Sequence, residues 1–188
     1  MLRVLQCDPA LQGCGHHYDA SLDNCPKCGG STTLLGTVPL VDPSYIVYDL
    51  ETYPNFFSGV FYSPSTAKVW VFEISDRINQ AKALIRFLLN LQFSNATMIG
   101  FNNDGFDYPI LHEMMAVGST EYSYSYAYSK CMAIINTPKD SFNTHKVWDD
   151  QKIIKQIDLY LINGFNNKAR STSLKAIEYW MQMNSIQD

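Results

Sequence analysis

The run YIVYDLETYPNFFSGVFY, residues 45 to 62, sets Asp49 and Glu51 two positions apart in an otherwise apolar, aromatic stretch. Side chains alternate between faces along a β-strand, so both carboxylates point to the same side of the sheet. Like charges raise the cost of each other's ionisation, so the pair belongs at an exposed strand edge or around a cation. A second acidic element follows in MIGFNNDGFDYPIL, residues 98 to 111. There a buried strand ends at Phe101, Asn102 and Asn103 turn the chain, and Asp107 opens a helix with Pro109 in its first turn. A carboxylate at a helix N-terminus is expected to stay ionised and can serve as a metal ligand. Asp49, Glu51 and Asp107 would then all lie where strands end beside a helix start.

A different chemistry occupies the start of the chain. Four of the five cysteines fall within the first 28 residues, in CDPALQGCGHHYDASLDNCPKCGG. A secreted disulfide scaffold would spread its cysteines, so this clustering reads as a metal knuckle in a reducing compartment. Cys25-Pro-Lys-Cys28-Gly-Gly is a strong half-site, because two thiolates spaced by two residues can grip one tetrahedral ion. The other half is less regular: Cys7 and Cys14 are six residues apart, and Cys14 with His17 forms a Cys-x2-His pair. Four cysteines are favoured over three cysteines and His17. The head resembles a zinc ribbon, and Zn²⁺ would be needed to fold a unit too small for its own apolar core. Cys131, far downstream, reads as a buried structural thiol.

Several elements must position the acids. YIVYDL, NFFSGVFY and AKVWVFEI are β-rich runs broken by TYP and SPST, which predicts an antiparallel meander. RINQAKALIRFLLNLQ carries Ile78, Ala81, Leu84, Ile85, Leu88 and Leu89 at helical spacing. ATMIGF reads as a short buried strand, FDYPILHEMM as a helix and QIDLYLI as a further strand. STSLKAIEYWMQ starts with capping residues and carries Leu174, Ile177, Tyr179 and Met181 as a helix. The tract EYSYSYAYSK alternates tyrosine with small residues; its period of two suggests a strand or a base-stacking platform, and packing of a Tyr-rich loop or helix on the core is the favoured reading. Meandering strands followed by alternating helices and strands predict an α/β fold, a mixed sheet with helices on its faces. The predicted head and linker occupy residues 1–40, and the body 41–188.

Composition bounds the class. With 46% apolar and 17% charged residues in a chain of 188, a proper core can be buried. A formal charge of −4 argues against a broad basic nucleic-acid surface but leaves room for a metal-assisted one. No signal segment is expected, nor any apolar run near the about 20 residues that span a bilayer. A cytoplasmic protein, in a bacterial or phage-infected cell, is the expectation.

YDLET followed by GFNNDGFDYPIL resembles the DEDD 3′–5′ exonucleases of the ribonuclease H-like superfamily, in particular the proofreading domains of family B and phage DNA polymerases. Asp49 and Glu51 fit the Asp-x-Glu of the first motif; Asn102, Phe106 and Asp107 fit the Asn-x3-Phe-Asp of the second. QIDLYLI and SLKAIEYWM resemble the strand and helix that such domains place before their last motif, and the likeness covers about residues 45 to 183. The resemblance implies a ribonuclease H-like sheet and two-metal hydrolysis, with two Mg²⁺ or Mn²⁺ ions about 4 Å apart clamping the scissile phosphate. Asp49 would bridge both ions, Glu51 would hold the nucleophile-side ion and Asp107 the other, while Asn102 and Phe106 would orient or stack on terminal nucleotides. Single-stranded DNA 3′ ends, or RNA, would be the substrate, and a polymerase or a further C-terminal portion a partner.

The family also has a fourth carboxylate, in Tyr-x3-Asp or His-x4-Asp on a late helix. It does not follow SLKAIEYWM here, and His145 with Asp150 has the spacing but precedes these elements, which makes the match accidental. Asp158 reads as a strand residue rather than a ligand. The expectation is an exonuclease domain that is C-terminally incomplete and weak or inactive by itself. The rival reading is a non-catalytic nucleic-acid-binding or replication-assembly module with an exonuclease-like fold.

Overall fold

Burial alternates along the chain from Tyr45, and the alternation selects strands. A computed structural model describes residues 2–7, 17–19, 32–38, 45–118, 122–138, 141, 144–165 and 172–181. Three short strands come first: β1 (Leu2–Cys7), β2 (His17–Asp19) and β3 (Thr32–Val38), an antiparallel sheet in the order β2–β1–β3. The segment after the cysteine cluster thus supplies a strand. Cys7 ends β1 and His17 begins β2, whereas Cys14, Cys25 and Cys28 lie outside the described residues.

The body is built on β4 (Tyr45–Tyr53), β5 (Phe56–Ser63), β6 (Lys68–Ser75), α1 (Ala81–Phe93), β7 (Thr97–Gly100), α2 (Asp107–Val117), α3 (Tyr124–Asn136), β8 (Lys155–Asp158), α4 (Leu159–Gly164) and α5 (Leu174–Trp180). Its mixed sheet has the order β6–β5–β4–β7–β8. The first three strands form the expected meander, with Asp49 opposite Val60 and Glu51 opposite Ser58; β7 and β8 add in parallel on the other side of β4. The five-stranded mixed α/β sheet with flanking helices agrees with the sequence reading.

Ile46, Tyr48 and Leu50 of β4 and Phe57 and Phe61 of β5 enter one core with Leu84, Leu88 and Leu91 of α1. Phe87 reaches across to Phe61, Trp70 and Phe72, with ring centroids 4.9, 5.1 and 5.3 Å away. Each such aromatic side chain buries a large apolar area, and tilted or edge-on rings add modestly to it. Cys131 is a buried free thiol in this core, as expected. On the opposite face of the meander Val47, Val60, Tyr62, Val69 and Val71 are exposed.

Four local readings are corrected or sharpened. Ile78 precedes α1 and is exposed, because the chain first bridges back to β6 through Ile74 and Asn79. Asn79 Oδ1 then accepts the Ala81 N–H at 3.0 Å, starting the helix there. The alternating tyrosines form a helix packed on the core, the favoured reading, rather than a strand: Ser123 caps α3 by accepting from the Tyr126 N–H, and Tyr122 is buried beside Tyr126. A local side-chain cap decides between helix and strand where the apolar pattern is ambiguous. The same physics ends β8 at Asp158, whose side chain accepts from the Tyr160 N–H, so LYLI is helical rather than extended. The apolar stripe of α5 is not buried; Leu174, Tyr179 and Met181 are exposed. Among the described residues no helix is long and apolar enough to cross a membrane.

Candidate metal centre

The parallel pairing of β4 with β7 covers only Tyr45, Ile46 and Val47, and β7 stops at Gly100. Beyond that point the edge of β4 is open on the β7 side. Asp107, the first residue of α2 and itself buried, fills this gap. Its carboxylate is stabilised by its own backbone N–H and by that of Leu50. Asp49 and Glu51 flank Leu50 on the exposed face, away from the core residues Ile46, Tyr48 and Leu50. One strand alternation and one helix start therefore bring the acids of both motifs to the same edge.

The loop at 101–106 sets where α2 begins. Asn102 is left-handed, with φ of 58°, a conformation that asparagine tolerates better than most residues. Its carbonyl accepts from the Gly105 N–H at 3.2 Å, and the Asn103 carbonyl accepts from the Tyr108 N–H at 2.8 Å. A side chain at Gly100 would place its Cβ 2.8 Å from the Asn103 Cβ, so the buried Asn103 requires glycine there. The Tyr48 hydroxyl donates to Gln156 Oε1 at 3.0 Å and the Asn103 side-chain amide also meets that atom at 3.0 Å, tying β4 and the loop to β8.

Charge is unbalanced at this edge. Burial, and then the Asp49 charge, push the Asp107 carboxyl up to about 7, outweighing the two backbone N–H groups. Asp49, although its side chain stands on the exposed face, is raised too, first by partial desolvation at the sheet surface and second by Glu51. The expectation that a helix start keeps Asp107 ionised is corrected: desolvation and a like charge overcome the N-terminal dipole. Among the described residues the ion pairs join Arg77 to Glu73, Lys130 to Glu113, and Lys152 to Asp104 and Asp149. None of these cations serves Asp49, Glu51 or Asp107.

Carboxylates are the hard oxygen donors that a divalent cation takes, which makes these three acids candidate ligands for one. The three approach one another pairwise, Glu51 to Asp49 and Asp49 to Asp107. Among the described residues no three acids, histidines or cysteines are drawn close enough to enclose an ion.

Asn102 lines a cavity of about 600 Å³ together with Phe101, Tyr160, Ser173, Ala176 and Trp180. The Phe101 and Tyr160 rings meet edge-on at 5.6 Å. Phe106 is partly buried and packs against the core. His145 is engaged elsewhere, hydrogen-bonded to Thr137 at 2.9 Å and lining a separate cavity with Glu113 and Lys130, while Asp150 is exposed. Asp158, read from sequence as a strand aspartate, and Gln156, not singled out there, prove to hold the loop that carries Asn102. The one sequence signal for Asp158 was its capping type just before an apolar run.

No protein-family model, curated protein or solved structure matches this chain. The fold and site define an α/β domain with an acidic sheet edge, and its function is argued from that edge.

Proposed function

We propose that the body of this chain is a ribonuclease H-like 3′–5′ exonuclease module of the proofreading type, hydrolysing phosphodiester bonds at nucleic-acid 3′ ends. The observation that carries the reading is the set of Asp49, Glu51 and Asp107 gathered at the open edge of β4, where none of the ion pairs among the described residues reaches them. The sheet order, an antiparallel meander followed by parallel strands, is compatible with that fold. Asp49 would bridge two Mg²⁺ or Mn²⁺ ions, with Glu51 and Asp107 each anchoring one. When bound, such ions activate a water and stabilise the leaving oxygen. The chain's own task is to keep three carboxylates at one edge and to seat the terminal nucleotides beside Asn102 and Phe106.

The test is Mn²⁺-dependent shortening of a 3′-labelled single strand of DNA, and of RNA, read beside Mn²⁺ binding by calorimetry. Asp49→Ala should lower the rate at least about 100-fold and abolish binding, since the bridging ligand is gone. Full activity in that variant, or no Mn²⁺ binding by the parent chain, would sink the catalytic reading. The aromatic cavity beside Asn102 suits a second reading, a non-catalytic module that binds nucleic-acid ends or assembles with a polymerase. That reading gains if 3′-ended strands bind without metal and without cleavage.

For the head, Cys7, Cys14, Cys25 and Cys28 are proposed to hold one Zn²⁺, with His17 as the alternative to Cys7. Elemental analysis should find about one zinc per chain, lost in Cys25→Ser. A zinc-free native chain would remove the ribbon.

A further inference from the structure

We propose that Asp158 is the positioning residue of the acidic site, a latch whose two oxygens hold the loop at 102–104 so that Asn102 and Asp107 are presented together. This inference rests on the metal-site reading above. Asp158 ends β8 in register with Gly100, the last residue of β7, and only 6% of its surface is exposed. Its Oδ1 accepts from the backbone N–H groups of Asn102 at 2.8 Å and Tyr160 at 2.9 Å; its Oδ2 accepts from that of Asp104 at 3.2 Å. Three donors on one carboxylate satisfy its charge without a cation, so Asp158 is not a fourth metal ligand.

The latch acts where the backbone needs it. Asn102 is held in a left-handed turn, and the charge-assisted bond to Asp158 offsets that conformation's cost. The Asp104 end is fixed a second time, by Lys152 Nζ on Asp104 Oδ2 at 2.8 Å. Three residues later Asp107 opens α2, near enough for the Asp158 charge to be felt at its carboxyl. The bracket between Asp158 and Asp107 is thus short and bonded along its length. A plain capping role for Asp158 on α4 would need only the Tyr160 contact.

Serine separates the two roles, because it caps a helix well but is too short to reach Asn102 or Asp104. In the full chain, Asp158→Ser is expected to weaken Mn²⁺ binding about tenfold, the lower end of what loss of an outer-shell partner costs. Amide hydrogen exchange should accelerate at Asn102 and Asp104 while Tyr160 stays protected. A folded Asp158→Ser chain that binds Mn²⁺ like the parent overturns the latch. If serine prevents folding, the isosteric Asp158→Asn decides, with about threefold weaker binding expected and unchanged binding overturning the proposal. Asp107→Asn is the reference: should it bind Mn²⁺ as the parent does, the metal-site reading fails and the latch with it, whereas parent-like binding by the Asp158 variants alone removes only the latch.

Discussion

Asp107 is placed where a carboxylate is least comfortable, and that placement has a measurable consequence in the metal-free protein. Its ordinary value of 3.8 applies to the unfolded chain, while the folded chain holds it at about 7. Between those values the folded state binds more protons than the unfolded state, so the stability tied to this group is fully present below about pH 4 and is lost as pH rises toward 7. Each pH unit in that window costs about 1.4 kcal/mol from this one group. With chelator present, thermal melting points should fall from pH 5 to pH 7.5. Asp107→Asn should flatten that slope and melt higher than the parent at pH 7.5, while binding no Mn²⁺. A melting curve that instead rises with pH in the parent would contradict the burial of an unpaired Asp107. A residue that destabilises the empty fold is best explained by what it does when occupied.

The core anchors β4 and α2, and polar groups fix the loop between them and the start of α4. Lys152 is the clearest case, since its side chain is 8% exposed and that of Asp104 16% exposed, at 2.8 Å. Its second partner, Asp149, is almost fully exposed and adds little, as surface pairs do. Removing the cation alone leaves Asp104 without its partner at a nearly buried place, so Lys152→Met should cost about 3 kcal/mol in urea unfolding. A loss below about 0.5 kcal/mol would mean that the loop does not depend on this pair. The same dependence explains why LYLI was misread. Its alternation fits a strand as well as a helix, and the deciding fact is one acceptor, Asp158, meeting the Tyr160 N–H.

At the scale of the molecule the meander is two-faced. One side feeds the core through Ile46, Phe57 and Phe61, whereas Val60 and Val71 sit opposite each other on the other side and are exposed. Exposed substitutions away from special features change stability little, so Val71→Thr should shift unfolding by no more than about 0.5 kcal/mol. A larger loss, read by denaturant titration of the full chain, would show that this face is covered in solution.

Much of this arrangement was legible in residue order. Period-two burial from Tyr45 to Ser75, the helical stripe after Asn79 and the helix opened by Asp107 are local patterns, set by side-chain geometry within a few residues. The shared face of Asp49 and Glu51 follows from the same period. Other features join distant parts of the chain. Asp158 meets Asn102 and Asp104 across 56 and 54 positions, and Tyr48 meets Gln156 across 108. Those contacts exist because β8 adds in parallel beside β7, a pairing that no local pattern specifies. Asp107's proton affinity is likewise a property of burial and of Asp49 across the gap, neither of which is written near residue 107. Residue order alone determined that Asp49 and Glu51 share a face; only the tertiary structure decided that Asp107 meets them, how the acids are charged and what holds them there, because desolvation and strand order are non-local.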